Sequence, residues 1–159
     1  MIKMRKNVFE TNSSSEHSIS FAKPEKNYVL HDNLFIRDGV LEIELGQFGW
    51  GIDWYNDPYT KLQYALTMVY SGETPYTDDG TWDKSKEAFY KTDGFNEIFN
   101  LLHKKYDIEE IKIKSFDGYI DHNSCYGSLD DFLNDYNVTL EDFIFNPNVI
   151  LNIDNDNHW

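Results

Sequence analysis

The dipeptide Asp38-Gly39 constrains the fold most, because it separates two short apolar segments in the manner of a β-hairpin. Asp-Gly is a preferred two-residue connection between antiparallel strands. In the second segment, residues 40–45, apolar residues alternate with two glutamates. This period-two pattern predicts a strand with one face in the core and the other in water.

Several other short segments have the composition of strands and are bounded by turn residues. Residues 110–115 alternate isoleucine with lysine, which predicts a strand with one wet face. The remaining predicted strands lie at residues 18–22, 27–30, 33–37 and 149–153, with a further β segment or turn at residues 118–121. These pieces lie before, between and after segments of a different period.

The longest segment with helical spacing begins at Asp57 and Pro58. Aspartate is a favoured N-cap and proline is favoured at the first helical position, so the pair predicts a helix start. Apolar residues then recur at helical spacing until Gly72 ends the run. A second helix is predicted near Lys84, and an apolar stripe over residues 95–106 predicts another.

Two acidic variants of the capping box, at residues 128–131 and 139–142, each predict a short helix. Strands before, between and after the helices predict an α+β fold. We therefore expect a single domain over residues 1–159. It should contain one mixed or mostly antiparallel sheet with about three to five helices packed on it.

Residues 7–19, N-V-F-E-T-N-S-S-S-E-H-S-I, place hydroxyls, an amide, two carboxylates and an imidazole between short apolar pieces. Small polar side chains compete for nearby backbone hydrogen bonds, so this run predicts a loop with a defined shape. Such a loop can bind an anion or set up a nucleophile. It can equally be a well-capped turn.

The sequence of residues 7–19 resembles the N-terminal segment of a group of small proteins encoded by phages and other mobile elements. The whole chain, which is short, acidic, aromatic-rich and rich in Asn, Asp and Lys, is similar in profile to phage anti-CRISPR proteins that inhibit type II Cas9 nucleases. These likenesses imply an inhibitor that acts in the host cytoplasm. They bring no catalytic residues that can be assigned to positions of this sequence.

The charge balance favours a basic partner. Twenty-eight acidic residues against fourteen basic ones give a net charge of −14, and no lysine or arginine occurs from residue 115 to residue 159. Contacts to phosphates need cations, so general nucleic-acid binding is disfavoured. The field of such a surface attracts cationic proteins, including a nucleic-acid enzyme with an empty basic groove. The alternative is that the acidity only keeps the protein soluble.

The residues expected to contact this partner are acidic side chains near the two predicted capping boxes and three tryptophans. Tryptophan dominates many interface hot spots, and the glycine-rich segment over residues 46–56 could present large rings. Alternatively, that segment folds over the core. The set comprises Asp130, Asp131, Asp135, Glu141, Asp142, Trp50, Trp54 and Trp82.

The cellular setting is predicted from two features. Cys125 is the single cysteine, which excludes an internal disulfide and suits a reducing compartment. The sequence has no apolar run of about 20 residues and no apolar signal-peptide core at its N-terminus. We therefore expect a cytoplasmic protein that binds no membrane.

A small enzyme, hydrolase-like or nucleotide-modifying, is the main alternative function. It would use a serine of the 7–19 loop, such as Ser14, with His17, Asp121 and His122. The sequence lacks the G-x-S-x-G nucleophile elbow, and acidic neighbours would raise rather than lower the pKa of the lone cysteine. A structural or assembly protein of a mobile element is a third possibility.

Three histidine-containing clusters, at residues 16–17, 121–124 and 154–158, hold side chains that ligate metals. Their spacing matches neither a helical i, i+4 pair nor a cysteine knuckle. The Asp/Asn run at residues 154–158 lacks the mid-loop glycine and closing glutamate of a calcium loop. We therefore predict no metal and no cofactor.

Overall fold

The computed structural model describes residues 15–22, 33–49, 51–74, 82–120 and 128–155. These residues form eight strands and five helices. The strands are β1 (Ser15–Phe21), β2 (Ile36–Arg37), β3 (Val40–Ile43), β4 (Gln47–Phe48), β5 (Asp53–Tyr55), β6 (Glu110–Ile113), β7 (Tyr119–Ile120) and β8 (Val149–Asn155). The helices are α1 (Pro58–Gly72), α2 (Trp82–Phe89), α3 (Asp93–Tyr106), α4 (Leu129–Asp135) and α5 (Leu140–Phe145).

The α+β fold class is confirmed, but the expected single sheet is wrong. The described strands form three small sheets, with the orders β1-β8-β5, β2-β3-β6 and β4-β7. The first sheet is antiparallel, whereas β3 pairs with β6 and β4 pairs with β7 in parallel. The described part of the chain contains five helices, within the expected number.

A shift of two residues in the pairing register separates the second and third sheets. Partners in β3 and β6 are 70 residues apart, as in Val40 with Glu110, whereas Gln47 of β4 pairs with Tyr119 of β7, 72 residues away. Two extra residues therefore lie on the β6–β7 side, and they interrupt the ladder as a bulge does. Single backbone bonds still cross the gap, from the Leu45 N–H to the Ser115 carbonyl at 3.0 Å and from the Tyr119 N–H to the Gly46 carbonyl at 2.9 Å.

The predicted hairpin is confirmed. Ile36 and Arg37 of β2 pair antiparallel with β3, and Asp38 and Gly39 connect them with φ angles of 52° and 78°. Two consecutive positive φ angles are those of the turn that favours Asp-Gly. The strand predicted at residues 27–30 lies outside the described residues.

Helix α1 lies at the centre of the core, in contact with α3, α4, α5 and β7. Its side chains are buried along most of its length, which exceeds the single apolar stripe expected from the sequence. The buried faces of β1 and β8 add Ile19, Leu151 and Ile153 to the same core. Within the described ranges, every helix is too short or too polar to cross a bilayer.

Side-chain caps fix the helix starts where the sequence predicted them. The Asp57 carboxylate accepts the Thr60 N–H at 2.8 Å, and Ser128 and Thr139 cap α4 and α5 in the same way. Each cap satisfies an N–H group that the helix itself leaves free. The positions of the following acidic residues are therefore well defined.

Candidate interaction surface

The five acidic residues predicted for partner binding are all exposed, and they lie on two short helices. Asp130 and Asp131 occupy the first turn of α4, and Glu141 and Asp142 occupy the first turn of α5. Asp135 is the last residue of α4. We call the first four residues the helix-start carboxylates. Negative charge in a first turn interacts favourably with the helix dipole.

Aromatic packing holds both helices against α1. The Phe132 ring of α4 lies 5.8 Å from the Tyr64 ring of α1, and the Phe143 ring of α5 lies 6.3 Å from the same ring. All three side chains are fully buried. Because the apolar face of each helix is used in this way, its acidic residues face solvent.

A second group of carboxylates surrounds one of these residues where the ends of three helices meet. Glu73 directly follows α1, Asp93 and Glu97 belong to the start of α3, and Asp130 belongs to the start of α4. We call these four residues the acidic cluster. Glu73, Asp93 and Glu97 are not among the residues predicted from the sequence, since only tertiary structure brings the three helix ends together.

Glu73 is the residue that joins these helix ends. Its Oε1 accepts the N–H of Gly94 at 3.0 Å, and its carboxylate also accepts the N–H of Leu129. These N–H groups belong to the first turns of α3 and α4, where they have no partner within the helix. The negative charge of Glu73 is thus fixed between two helix N-termini.

The pKa values in the acidic cluster show that its negative charges repel each other. Burial raises the pKa of Glu97, and so do the charge of Asp130, a hydrogen bond to Asp130 and the charges of Glu73 and Asp93. Burial likewise raises the pKa of Glu73, and the charges of Asp130 and Asp93 add to it against the lowering effect of its backbone hydrogen bonds. The charged groups that shift these two pKa values are all acidic. The cluster therefore maintains a strong negative potential.

The structure describes the side chain of only one of the three tryptophans predicted to contact a partner. Trp54 lies on β5 with 64% of its side chain exposed, as expected for an anchor. Trp82 is the first residue of α2, but its side chain lies outside what the structure describes, as does all of Trp50. The segment over residues 46–56 both contributes to the core and presents a large ring, because Phe48 is buried and Trp54 is exposed to solvent.

The catalytic alternative gains no support from His17. This residue is 4% exposed and lies on the inner face of β1, and its Nδ1 is 2.7 Å from the hydroxyl of the buried Tyr64. Such an arrangement is typical of a hydrogen-bonded histidine in a core. A side chain buried to this extent is not accessible to a substrate. The other members of that set, Ser14, Asp121 and His122, lie outside the described residues.

No other catalytic arrangement emerges from the part of the chain that the structure describes. A shallow pocket of about 480 Å³ beside the acidic cluster is lined by Glu73, Ala88, Lys91, Thr92 and Asp93. This lining contains no histidine, serine or cysteine, and its Thr92 hydroxyl donates to the Phe89 carbonyl and accepts the Phe95 N–H. Among the same described residues, no group of three or more metal-ligating side chains lies close enough to hold an ion.

Comparison with protein-family models, curated proteins and solved structures gave no match to this chain.

Proposed function

We propose that this chain is a protein inhibitor of the anti-CRISPR kind, which binds a basic nucleic-acid enzyme, such as Cas9, and blocks its nuclease activity in the host cytoplasm. The observation that carries the proposal is the set of exposed carboxylates at the starts of α4 and α5, one of which, Asp130, also belongs to the acidic cluster. These groups are exposed or half-buried on the ends of packed helices. The last 45 residues of the chain, which include all four helix-start carboxylates, contain no lysine or arginine.

A fixed array of carboxylates suits a groove that normally holds nucleic acid. Lysine and arginine in such a groove bind phosphates as charged hydrogen-bond donors, and they bind carboxylates in the same way. Side chains held on capped, packed helices lose little conformational entropy on binding. The inhibitor would then occupy the groove in place of the nucleic acid and need no catalytic group.

The raised pKa of Glu97 in the unbound protein also supports this proposal. Like charges that repel each other before binding are relieved when a cation approaches, so part of the electrostatic cost of the cluster is recovered in the complex. A cationic side chain placed between Glu97 and Asp130 would meet two carboxylates at once.

The first experiment measures DNA cleavage by purified Cas9 with guide RNA over a titration of the protein. We expect inhibition, and its absence would reject Cas9 as the target. A surface variant then neutralises the helix-start carboxylates with near-isosteric amides: Asp130→Asn, Asp131→Asn, Glu141→Gln and Asp142→Asn. Desolvated charge pairs at interfaces each contribute about 1–3 kcal/mol or more, so affinity should fall by about 100-fold or more.

A matched control variant removes the same number of charges from exposed acidic residues elsewhere: Glu87→Gln, Glu109→Gln, Glu110→Gln and Asp117→Asn. Net charge is equal in the two variants, so a general electrostatic effect would weaken both alike. We expect the control variant to stay within about threefold of the parent protein, as exposed rim charges do. Equal losses in both variants would reject the proposed surface. Urea unfolding of each variant confirms that the fold is retained.

A further inference from the structure

The edge strand β5 exposes an apolar surface that the proposed function does not use. Among the described residues, β5 pairs with β8 alone, with Asp53, Trp54 and Tyr55 opposite Ile153, Asn152 and Leu151. Its other edge therefore has no strand partner within the described part of the chain.

Two large apolar side chains lie along this edge. Ile52 and Trp54 are 63% and 64% exposed, respectively. They are two positions apart, so both lie on the same face of the strand. Trp54 is opposite Asn152, whereas the flanking residues Leu151 and Ile153 are buried, so this face is the one directed away from the core.

Edge strands of native proteins are usually protected from pairing by short length, charged side chains, proline, bulges or a covering element. β5, Asp53-Trp54-Tyr55, is short and has one charged residue, but it contains neither lysine nor proline. Exposed tryptophan and isoleucine at an unpaired edge are characteristic of a binding surface rather than of a protected one.

The charge at this edge determines which kind of segment it fits. The exposed Asp53 lies between Ile52 and Trp54, and its negative charge contributes to the raised pKa of Tyr55, after the larger effect of burial. Asp57 lies four residues along the chain, and hydrogen bonds from Thr60 and Asn33 lower its pKa, against the effect of burial, so it stays ionised. Asp53 is opposite Ile153 and Trp54 is opposite Asn152, so these two side chains lie on opposite faces of β5. In a partner strand, an arginine would therefore lie near Asp53 on one face, and a neighbouring apolar residue would contact Trp54 on the other.

We propose that the free edge of β5 is a docking site for an extended, arginine-containing segment of a partner protein, which adds to the sheet as a further strand. Backbone hydrogen bonds to β5 supply pairing, Ile52 and Trp54 supply apolar contacts on one face, and Asp53 selects for positive charge on the other. The site is separate from the acidic cluster and does not depend on the inhibitor function.

The test uses an octapeptide of alternating arginine and valine, with blocked termini, and the whole ¹⁵N-labelled protein. Two control peptides accompany it: one with glutamate in place of arginine, and one methylated at every backbone nitrogen. We expect the arginine peptide to bind, to shift the amide resonances of residues 53–55 and to slow their hydrogen exchange. The glutamate and N-methylated peptides should bind at least about tenfold more weakly, because each lacks one of the two proposed interactions.

Two protein variants locate the site. Trp54→Ser should weaken binding of the arginine peptide at least about tenfold, since burial of one large apolar side chain is worth about 1.5–3 kcal/mol. Phe35→Ser removes another exposed ring, 70% exposed, and should change the affinity less than about threefold. Urea unfolding confirms that both variants are folded.

Several results would overturn the proposal: no binding of the arginine peptide, equal binding of the N-methylated or glutamate peptide, an equal loss in both protein variants, or resonance shifts confined to other residues. The surface variant should bind the arginine peptide as the parent protein does, within about threefold. Failure here would leave the nuclease experiment unaffected, and failure of the nuclease experiment would leave this one unaffected.

Discussion

Replacement of Lys61 by methionine should change how the stability of the protein depends on pH. Lys61 of α1 has no exposed surface, and its Nζ donates hydrogen bonds to the carbonyl oxygens of Asn146 at 2.8 Å and Val149 at 2.9 Å. Burial lowers the pKa of the ammonium from 10.5 to about 8, against the smaller opposing effect of the Asp57 charge.

The size of the effect follows from that difference in pKa. Between pH 8 and 10.5, the unfolded chain holds a proton on Lys61 that the folded protein has lost. The unfolded state therefore binds more protons, and the free energy of unfolding rises with pH across this window. At about 1.4 kcal/mol for each pH unit, the total contribution is about 3 kcal/mol. Below pH 8 the full cost of burying the charge is present.

Methionine has similar length and no titrating group, so Lys61→Met should remove this dependence. The Val149 carbonyl would lose the Lys61 donor, which costs about 1–3 kcal/mol for a group left without a partner, whereas the Asn146 carbonyl still accepts the Val149 N–H at 3.0 Å. Relief of the buried charge offsets part of that loss at neutral pH. The absolute stability of the variant is therefore a balance, whereas the difference in slope is specific to the titration of Lys61.

Urea unfolding of both proteins at half-unit steps from pH 7 to pH 10 provides the measurement. The difference in free energy of unfolding, parent minus variant, should increase by about 2–3 kcal/mol between pH 8 and pH 10. Tyrosines titrate in both proteins and cancel in the difference. A difference that stays constant with pH would refute the assignment of a lowered pKa to Lys61.

Three further predictions concern the acidic cluster and the core. Gly94→Ala would place Cβ 2.6 Å from the carboxylate oxygens of Glu73, so the free energy of unfolding in urea should fall by about 1–3 kcal/mol. Gly51→Ala, with 3.8 Å to its nearest neighbour, serves as the control and should change little. The raised pKa of Glu97 means that the folded protein binds a proton on this side chain more readily than the unfolded chain does. At pH 7, Glu97→Gln should therefore increase the free energy of unfolding in urea. This gain should disappear as pH falls towards 4. Tyr64→Phe removes the hydroxyl bound to the buried histidine of β1, and should cost about 1–3 kcal/mol in thermal unfolding monitored by circular dichroism; an unchanged midpoint would contradict the importance of that bond.

Local features of the sequence were sufficient to predict the helices and the β-hairpin, but not all of the strands. Strands β4 and β5 lie in the glycine-rich segment where no strand was predicted, and β1 begins at Ser15, inside the segment predicted as a loop. The caps at Asp57, Ser128 and Thr139 act within three residues, so the helix starts could be identified without tertiary information. The Asp38-Gly39 turn is equally local. The division into three sheets could not be predicted, because it depends on parallel pairing between residues about 70 positions apart and on a two-residue insertion in one partner.

The candidate surface divides in the same way. Exposure of the helix-start carboxylates follows from the amphipathic pattern of α4 and α5, which the sequence displays. The acidic cluster depends on the meeting of three helix ends, so Glu73 and Glu97 carried no recognisable signal beyond their charge. The burial of His17 did have a signal: it alternates with Ile19 along β1, and the two share the inner face.

The association rate of the protein with the Cas9–guide RNA complex, measured by stopped flow from about 50 to 500 mM salt, tests the central claim most directly. If the clustered carboxylates steer binding, the rate constant should fall steeply with salt for the parent protein and the control variant. The surface variant should associate more slowly at low salt and show a distinctly shallower dependence. Identical salt dependence for the parent protein and the surface variant would contradict the claim that these carboxylates form the binding surface.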